Sequence, residues 1–267
     1  MKKYLTFFKM RFKYSLQYRA AAYAGVATQF FWGIMQMLIF SAFYKENPDN
    51  FPMKFHELTS YIWLQQSTIA LFFVYLMDNT IFSDIKSGNV AYELCRPMNL
   101  YNMWFAKNAA IRLAKVILRC IPILIFAMIL PKPYGLTIIS NASTLIMFFI
   151  SMLFAFLLVL SYCMLIYIAT FFMISAQGIR MLAISITEFL SGAIIPIPFF
   201  PEKVQHVISL SPWGCMQNIP FRIYSGNIAG MEAINSIVLQ FIWIVILTAF
   251  GKMLLSIALK KVVVQGG

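Results

Sequence analysis

Charge is what this sequence has least of. Of 267 residues, 9 are acidic and 21 basic, so charged side chains make up 11% of the chain against 61% hydrophobic. A water-surrounded domain carries charge at roughly a quarter of its positions. The deficit excludes an ordinary soluble globule and fits a chain whose outer surface meets lipid, as does the mean hydropathy of +0.78. Histidine is scarce too. His56 and His206 are far apart and lack paired ligand spacing, so no metal site is expected. Cys95, Cys120, Cys163 and Cys215 form no C-x-x-C pattern. Only Cys215 is expected near the outer side, which excludes an external disulfide within the chain. The phosphate-cradling pattern G-x-x-x-x-G-K-[ST] is missing, and Gly251-Lys252 runs into Met253 within an apolar stretch. No serine–histidine–acid order or carboxylate pair suggests a catalytic centre. Internal repeats, low-complexity tracts and linkers between soluble domains are likewise lacking.

What is present is a series of long apolar runs. Residues 20–44 hold no charged side chain, and a helix of that length extends about 37 Å, ample for one tilted crossing. The basic stretch 2–19 precedes it, and Ala20-Ala21-Ala22 comes before the apolar run instead of after it. The run therefore reads as an uncleaved first span, not a signal peptide. Further spans are expected over 58–77, 113–130, 144–173, 181–195 and 233–255. Polar turns separate them: 45–57 with Pro48 and Pro52, 132–140 with Pro133 and Gly135, and 175–180 around Gly178. Arg112, Lys115 and Arg119 share one helical face, from which Lys115 and Arg119 snorkel or face protein near the inner boundary.

The expected fold is thus an all-α integral membrane protein, one transmembrane domain over 1–267 with six transmembrane helices. An amphipathic interfacial helix occupies 1–19. Residues 191–230 carry Pro196, Pro198, Pro201, Pro212 and Pro220 among Phe199, Phe200, Trp213 and Phe221. That is too apolar for a watery loop and too proline-rich for a regular span. Re-entrant outer half-helices packed against protein fit it best.

The formal charge of +12 does not indicate nucleic acid, because the basic residues lie in short gaps between apolar runs. Alternating the spans puts 16 Lys and Arg on one side and 5 on the other. The positive-inside rule then places both termini in the cytoplasm.

In the first helix Leu5, Phe8, Phe12 and Leu16 form an apolar stripe, with Lys2, Lys9, Lys13 and Gln17 on another. With Arg11, these cations suit an inner interface bearing anionic head groups. Between the second and third runs, Ser87-Gly88-Asn89 signals a turn and Pro97 a stop. A short helix over 90–95 between them would display Tyr92, Glu93 and Arg96 to the cytoplasm. Within the spans, Glu188 is flanked by Phe189 and Leu190, and exposing its carboxylate to lipid would cost about 2.5–3.5 kcal/mol. It should face protein or a wet cavity, for structural bonding or for transport. Gln65, Gln66, Gln29 and Gln36 are weaker candidates of the same kind.

Ile85-Lys86-Ser87-Gly88, then Leu94, then Arg96-Pro97, after two spans and an amphipathic helix, resembles permeases of type-2 ABC transporters. The multidrug or viologen-exporter-like branch is the most similar. Residues 8–22 with Tyr18-Arg19-Ala20, Trp32 in the first span, and Leu190-Ser191-Gly192 fit that likeness. So do Ile195-Pro196, Phe200-Pro201, Ser211-Pro212 and Gly226. The resemblance implies that the loop between spans two and three is a coupling helix docking on a separate ATPase. Ser87, Gly88, Tyr92, Glu93, Arg96 and Pro97 would make that contact, beside an interfacial helix carrying Lys9, Arg11 and Lys13. It also implies that Pro196, Pro198, Phe199 and Phe200 belong to short outer helices closing the pathway.

The function expected is a permease subunit of an ATP-driven exporter in a prokaryotic cytoplasmic membrane. It would move a hydrophobic or amphipathic substrate and hold no cofactor. ATP and Mg would reside in two copies of a partner ABC ATPase, with a second permease chain, identical or homologous, completing the conduit. Lipids are expected partners and nucleic acid is not. An ion-coupled carrier is the alternative, although it would want several intramembrane acids or a pair of broken helices. A membrane-embedded enzyme is a further one.

Overall fold

The computed structural model describes residues 2–17, 19–46, 51–139, 141–173 and 175–260. Tyr18, Pro48 and Ser140 lie outside these residues. Among the described residues the chain is helical, with no strand. In order the helices are α1 (Lys2–Ser15), α2 (Arg19–Glu46), α3 (Phe55–Phe72), α4 (Asn79–Ser87), α5 (Val90–Leu94) and α6 (Leu100–Ile129). They are followed by α7 (Ala142–Ala169), α8 (Ala176–Leu190), α9 (Glu202–Leu210), α10 (Asn218–Ser225) and α11 (Gly230–Lys260).

Short polar side chains start several of these helices where the sequence breaks its apolar runs. Asp78 accepts from the Thr80 amide at 2.8 Å, Asn99 from Asn102 at 3.2 Å, Asn141 from Ser143 at 3.0 Å and Ser175 from Gly178 at 3.1 Å. Each satisfies an amide donor that the first helical turn leaves open. Gly88 ends α4 at φ 78°, a left-handed C-cap that glycine adopts without strain.

Among the described residues, four helical segments are long and apolar enough to cross a membrane: Ala22–Glu46, Phe55–Ser87, Ala142–Phe172 and Gly230–Lys260. The helix boundaries differ from the sequence reading at three places. The second run does not stay helical to residue 77, because α3 stops at Phe72 and a short 3₁₀ turn, Val74–Leu76, leads to an extended Met77. α6 starts at Leu100, not near 113, and continues through Pro122. The charges in its first half had suggested water, yet Lys107 and Arg112 are buried against protein. α8 occupies Ala176–Leu190, several residues before the expected 181–195.

Side-chain contacts define two ends of the bundle. At one end α1 lies along α6, where the Asn99 amide donates to the Tyr4 hydroxyl at 2.8 Å and Lys3 donates to the Pro97 carbonyl. Arg180 of α8 donates to Asn79 of α4 at 2.6 Å. At the other end Trp63 donates to the Tyr134 carbonyl at 2.8 Å, and Tyr44 to the Met53 carbonyl at 2.6 Å. Tyr44 also stacks on Phe51, with ring centroids 4.3 Å apart.

Residues 191–230 fold back into the bundle from that second end. Gln240 of α11 donates to the Cys215 carbonyl at 2.8 Å, while Ser151 of α7 donates to the Gln240 carboxamide at 3.0 Å. Gln240 sits about 15 Å along α11 from Gly230, which carries Cys215 well into the bundle. α10 then rises between α3 and α7. Its buried Phe221 meets Tyr61 and Phe72 edge-on, at centroid distances of 5.2 and 5.7 Å. Backbone groups that a proline-rich chain cannot satisfy in a regular helix are thus met by glutamine, tyrosine and tryptophan side chains.

Candidate functional site

The segment after α3 leaves the bundle through a break that is held by buried polar side chains. Where α3 stops, its last carbonyls lose their helical partners. Arg112 of α6, fully buried, donates from Nη1 to the carbonyls of Leu71 at 2.9 Å and Phe73 at 3.0 Å. Its Nε donates to Asn108 Oδ1 at 2.8 Å, and Nη2 points at Cys163 Sγ, 3.3 Å away. A guanidinium at the C-terminal end of a helix also meets the negative pole of the helix dipole. A buried charge without a carboxylate is therefore compensated by carbonyls and dipole together.

Just beyond, the Asp78 amide donates to the Tyr167 hydroxyl at 2.6 Å. Lys107 Nζ lies 2.9 Å from Asp78 Oδ2 and donates to Thr80 Oγ1 at 2.6 Å. Arg180 donates to the Tyr75 carbonyl at 2.9 Å and lies over the Tyr75 ring. Side chains from α6, α7 and α8 thus all hold the break that leads into α4.

The residues expected on the displayed loop separate into two groups. Ser87, Gly88, Arg96 and Pro97 are exposed, and Tyr92 is 76% exposed. Glu93 is not displayed. It is 8% exposed and accepts from Trp104 Nε1 at 2.5 Å, because Tyr92 and Glu93, consecutive on α5, point about 100° apart. On α1, Lys9 and Lys13 are exposed, and Arg11 is half-buried over the Phe7 ring. The buried residue of this helix is Phe7, and Phe8 of the expected apolar stripe packs against the core, whereas Leu5 of that stripe is 55% exposed.

Deeper in the bundle, α2, α3 and α8 enclose a cavity of about 350 Å³. It brings together Glu188, Gln65, Gln66, Gln29 and Gln36 with Gln217 and Trp32. Gln66 Nε2 donates to Gln36 Oε1 at 3.0 Å, and the buried Gln66 Oε1 has no hydrogen-bond partner among the described residues. Gln65 donates to the Ala193 carbonyl and Gln217 to Ser191 Oγ, so the floor of the cavity is the start of the inward-folded segment. Pro196, Pro198, Phe199 and Phe200 lie outside its lining. Pro196 and Pro198 are buried in the following turn, Phe199 packs on Phe40 and Phe51, and Phe200 packs edge-on against Phe189.

The sequence reading missed Arg112 as a clamp, and with it Lys107, Tyr167 and Trp104. A faint signal exists: Trp104, Asn108 and Arg112 recur at a spacing of four, a polar stripe on an otherwise apolar helix. Gln217 was hidden because it belongs to the irregular segment.

Among the described residues, four apolar segments of membrane-crossing length, an inward-folded proline-rich segment and an internal cavity lined by glutamines and Glu188 fit a polytopic membrane protein. Residues 21–266 match the family model described as ABC-2 family transporter protein, and the chain belongs to that family. It is therefore a permease subunit of a type-2 ABC transporter, a machine that needs an ABC ATPase partner. No curated protein matches it.

Proposed function

We propose that this chain is the transmembrane permease of an ATP-driven exporter that moves a hydrophobic or amphipathic substrate. ATP and Mg would be held by two copies of a separate ATPase, and a second permease chain, identical or homologous, would complete the conduit. The observation that carries the reading is the linkage at the end of α3. The exposed apex Ser87, Gly88, Tyr92, Arg96 and Pro97 continues directly into a break whose carbonyls are clamped by Arg112 and Arg180. A partner pressing on that apex would push on three helices at once.

The same reading assigns six crossings, with α6 and α8 joining the four apolar segments. α6 spans about 45 Å, and its buried Lys107 and Arg112 are turned away from lipid. α8 spans about 22 Å, and the turn after it supplies the remaining depth. The basic end is the cytoplasmic one. The substrate would pass through the cavity beside Glu188, and the buried segment around Pro196 and Pro198 would close the outer side.

The test is a pull-down of the tagged full chain from its native membrane in mild detergent, with mass spectrometry of its partners. An ATPase carrying the phosphate-loop pattern is expected, and its recovery should fall in a Tyr92→Ala/Arg96→Glu variant. Intact chain recovered repeatedly without an ATPase would overturn the proposed assembly with two ATPase copies.

A further inference from the structure

The cavity between α2, α3 and α8 is lined by hydrogen-bond acceptors more than by donors. Its charged residue is Glu188, which has no ion-pair partner among the described residues, and no lysine or arginine lines it. Around that carboxylate the glutamines turn their amide nitrogens toward protein. Gln65 Nε2 donates to the Ala193 carbonyl, Gln66 Nε2 to Gln36 Oε1 at 3.0 Å, and Gln217 Nε2 to Ser191 Oγ at 3.1 Å. A carboxamide whose nitrogen is committed in this way offers its oxygen as an acceptor. Gln66 is 4% exposed, and its Oε1 has no hydrogen-bond partner among the described residues. A buried acceptor left unmet is costly to the fold, so it marks a place where a donor belongs.

Apolar side chains complete the lining, among them Ile69, Phe72, Phe73 and Trp32. We propose that this cavity binds an amphipath whose polar end is a protonated primary or secondary amine, its charge meeting Glu188 and one N–H meeting Gln66 Oε1. The inference rests on the exporter reading above and names the class of substrate that the cavity takes. An anionic group would face Glu188 and the carboxamide oxygens with no cation to offset them. A quaternary ammonium would keep the charge and the attraction to the Trp32 indole. It has no N–H, however, and would leave Gln66 Oε1 unmet. A bare alkali ion would leave the apolar side of the lining uncovered. At about 350 Å³ the cavity lies near the lower end of the roughly 300–1,000 Å³ typical of small-molecule sites, which suits a compact amine head with one ring system.

The test places the tagged full chain, with any subunits that accompany it, in lipid nanodiscs without ATP. It is titrated calorimetrically with naphthylbutylamine, the N-trimethylated derivative of that amine and the corresponding alcohol, and binding to empty nanodiscs is subtracted. The amine should bind about tenfold more tightly than the trimethylated cation or the alcohol. Glu188→Gln should weaken the amine about tenfold and leave the alcohol unchanged. Gln66→Met should bring the two cations to within about twofold of each other. Where that variant folds poorly, the comparison of the two cations on wild type decides alone. Equal affinity for the two cations, or no binding above empty nanodiscs, would overturn the proposal. Displacement of the amine by millimolar sodium at constant ionic strength would overturn it in favour of an alkali ion. None of these measurements needs an ATPase, so a failure strikes the ligand class and leaves the exporter assignment to stand or fall on ATPase recovery.

Discussion

The indole of Trp104 donates to the carboxylate of Glu93, and both side chains are turned into the protein beneath the exposed loop. Glu93 is therefore an anchor of α5, not part of the surface that a partner meets. Replacing it by alanine leaves the buried indole N–H unpaired, at a cost of about 1–3 kcal/mol. Glu93→Ala should lower the thermal midpoint in detergent, whereas Arg96→Ala should leave it unchanged and weaken ATPase recovery. The reverse pattern would return Glu93 to the docking surface.

Arg112 carries a similar burden at the break. A lysine there keeps the charge but cannot reach Asn108, Leu71, Phe73 and Cys163 in four directions from one planar group. Arg112→Lys should therefore destabilise the chain by about 1–3 kcal/mol for each carbonyl left without a donor. Thermal unfolding checks the stability, and ATPase activity of the assembled transporter with and without substrate checks the coupling. A variant with native stability and native substrate stimulation would show that the clamp is dispensable.

Glu188 faces the inner cavity without an ion-pair partner among the described residues. Glu188→Gln keeps its size and hydrogen-bonding capacity but removes the charge. The variant should assemble and melt like wild type, yet lose transport of cationic amphipaths about tenfold or more while neutral substrates are little affected. Equal loss for both classes would make Glu188 a structural residue.

The long apolar runs made most of the fold legible, because uncharged stretches of membrane-crossing length are a strong signal. α2, α7 and α11 are placed close to where hydropathy alone puts them. α6 is not, since hydropathy counts Lys107 and Arg112 as exposed and has no way of seeing the carbonyls and the Asp78 carboxylate that compensate them. The stop at Phe72 was hidden for the same reason: its cause lies on α6, distant in sequence. Glu188, Gln65 and Gln66 could be singled out as costly polar residues in lipid, and they do share a cavity. That Pro196 and Pro198 stay out of its lining depended on turn geometry that composition does not encode.

Gly192 joins that cavity to the inward-folded segment, and its geometry gives a two-residue test. Its φ is +77°, and its carbonyl accepts from the Tyr61 hydroxyl at 3.1 Å. A Cβ at this position would fall 2.6 Å from the Tyr61 hydroxyl oxygen. Gly192→Ala thus combines a left-handed backbone, costing about 1–2 kcal/mol, with a clash against a fully buried ring. Tyr61→Phe removes the clashing oxygen but also the hydrogen bond, at about 1 kcal/mol. In the double variant the clash is gone and the backbone strain remains, so its destabilisation should be smaller than the sum of the two singles. Thermal midpoints of the three variants in one detergent measure the cycle. Strict additivity would mean that the tyrosine moves aside at no cost and does not hold the segment in place.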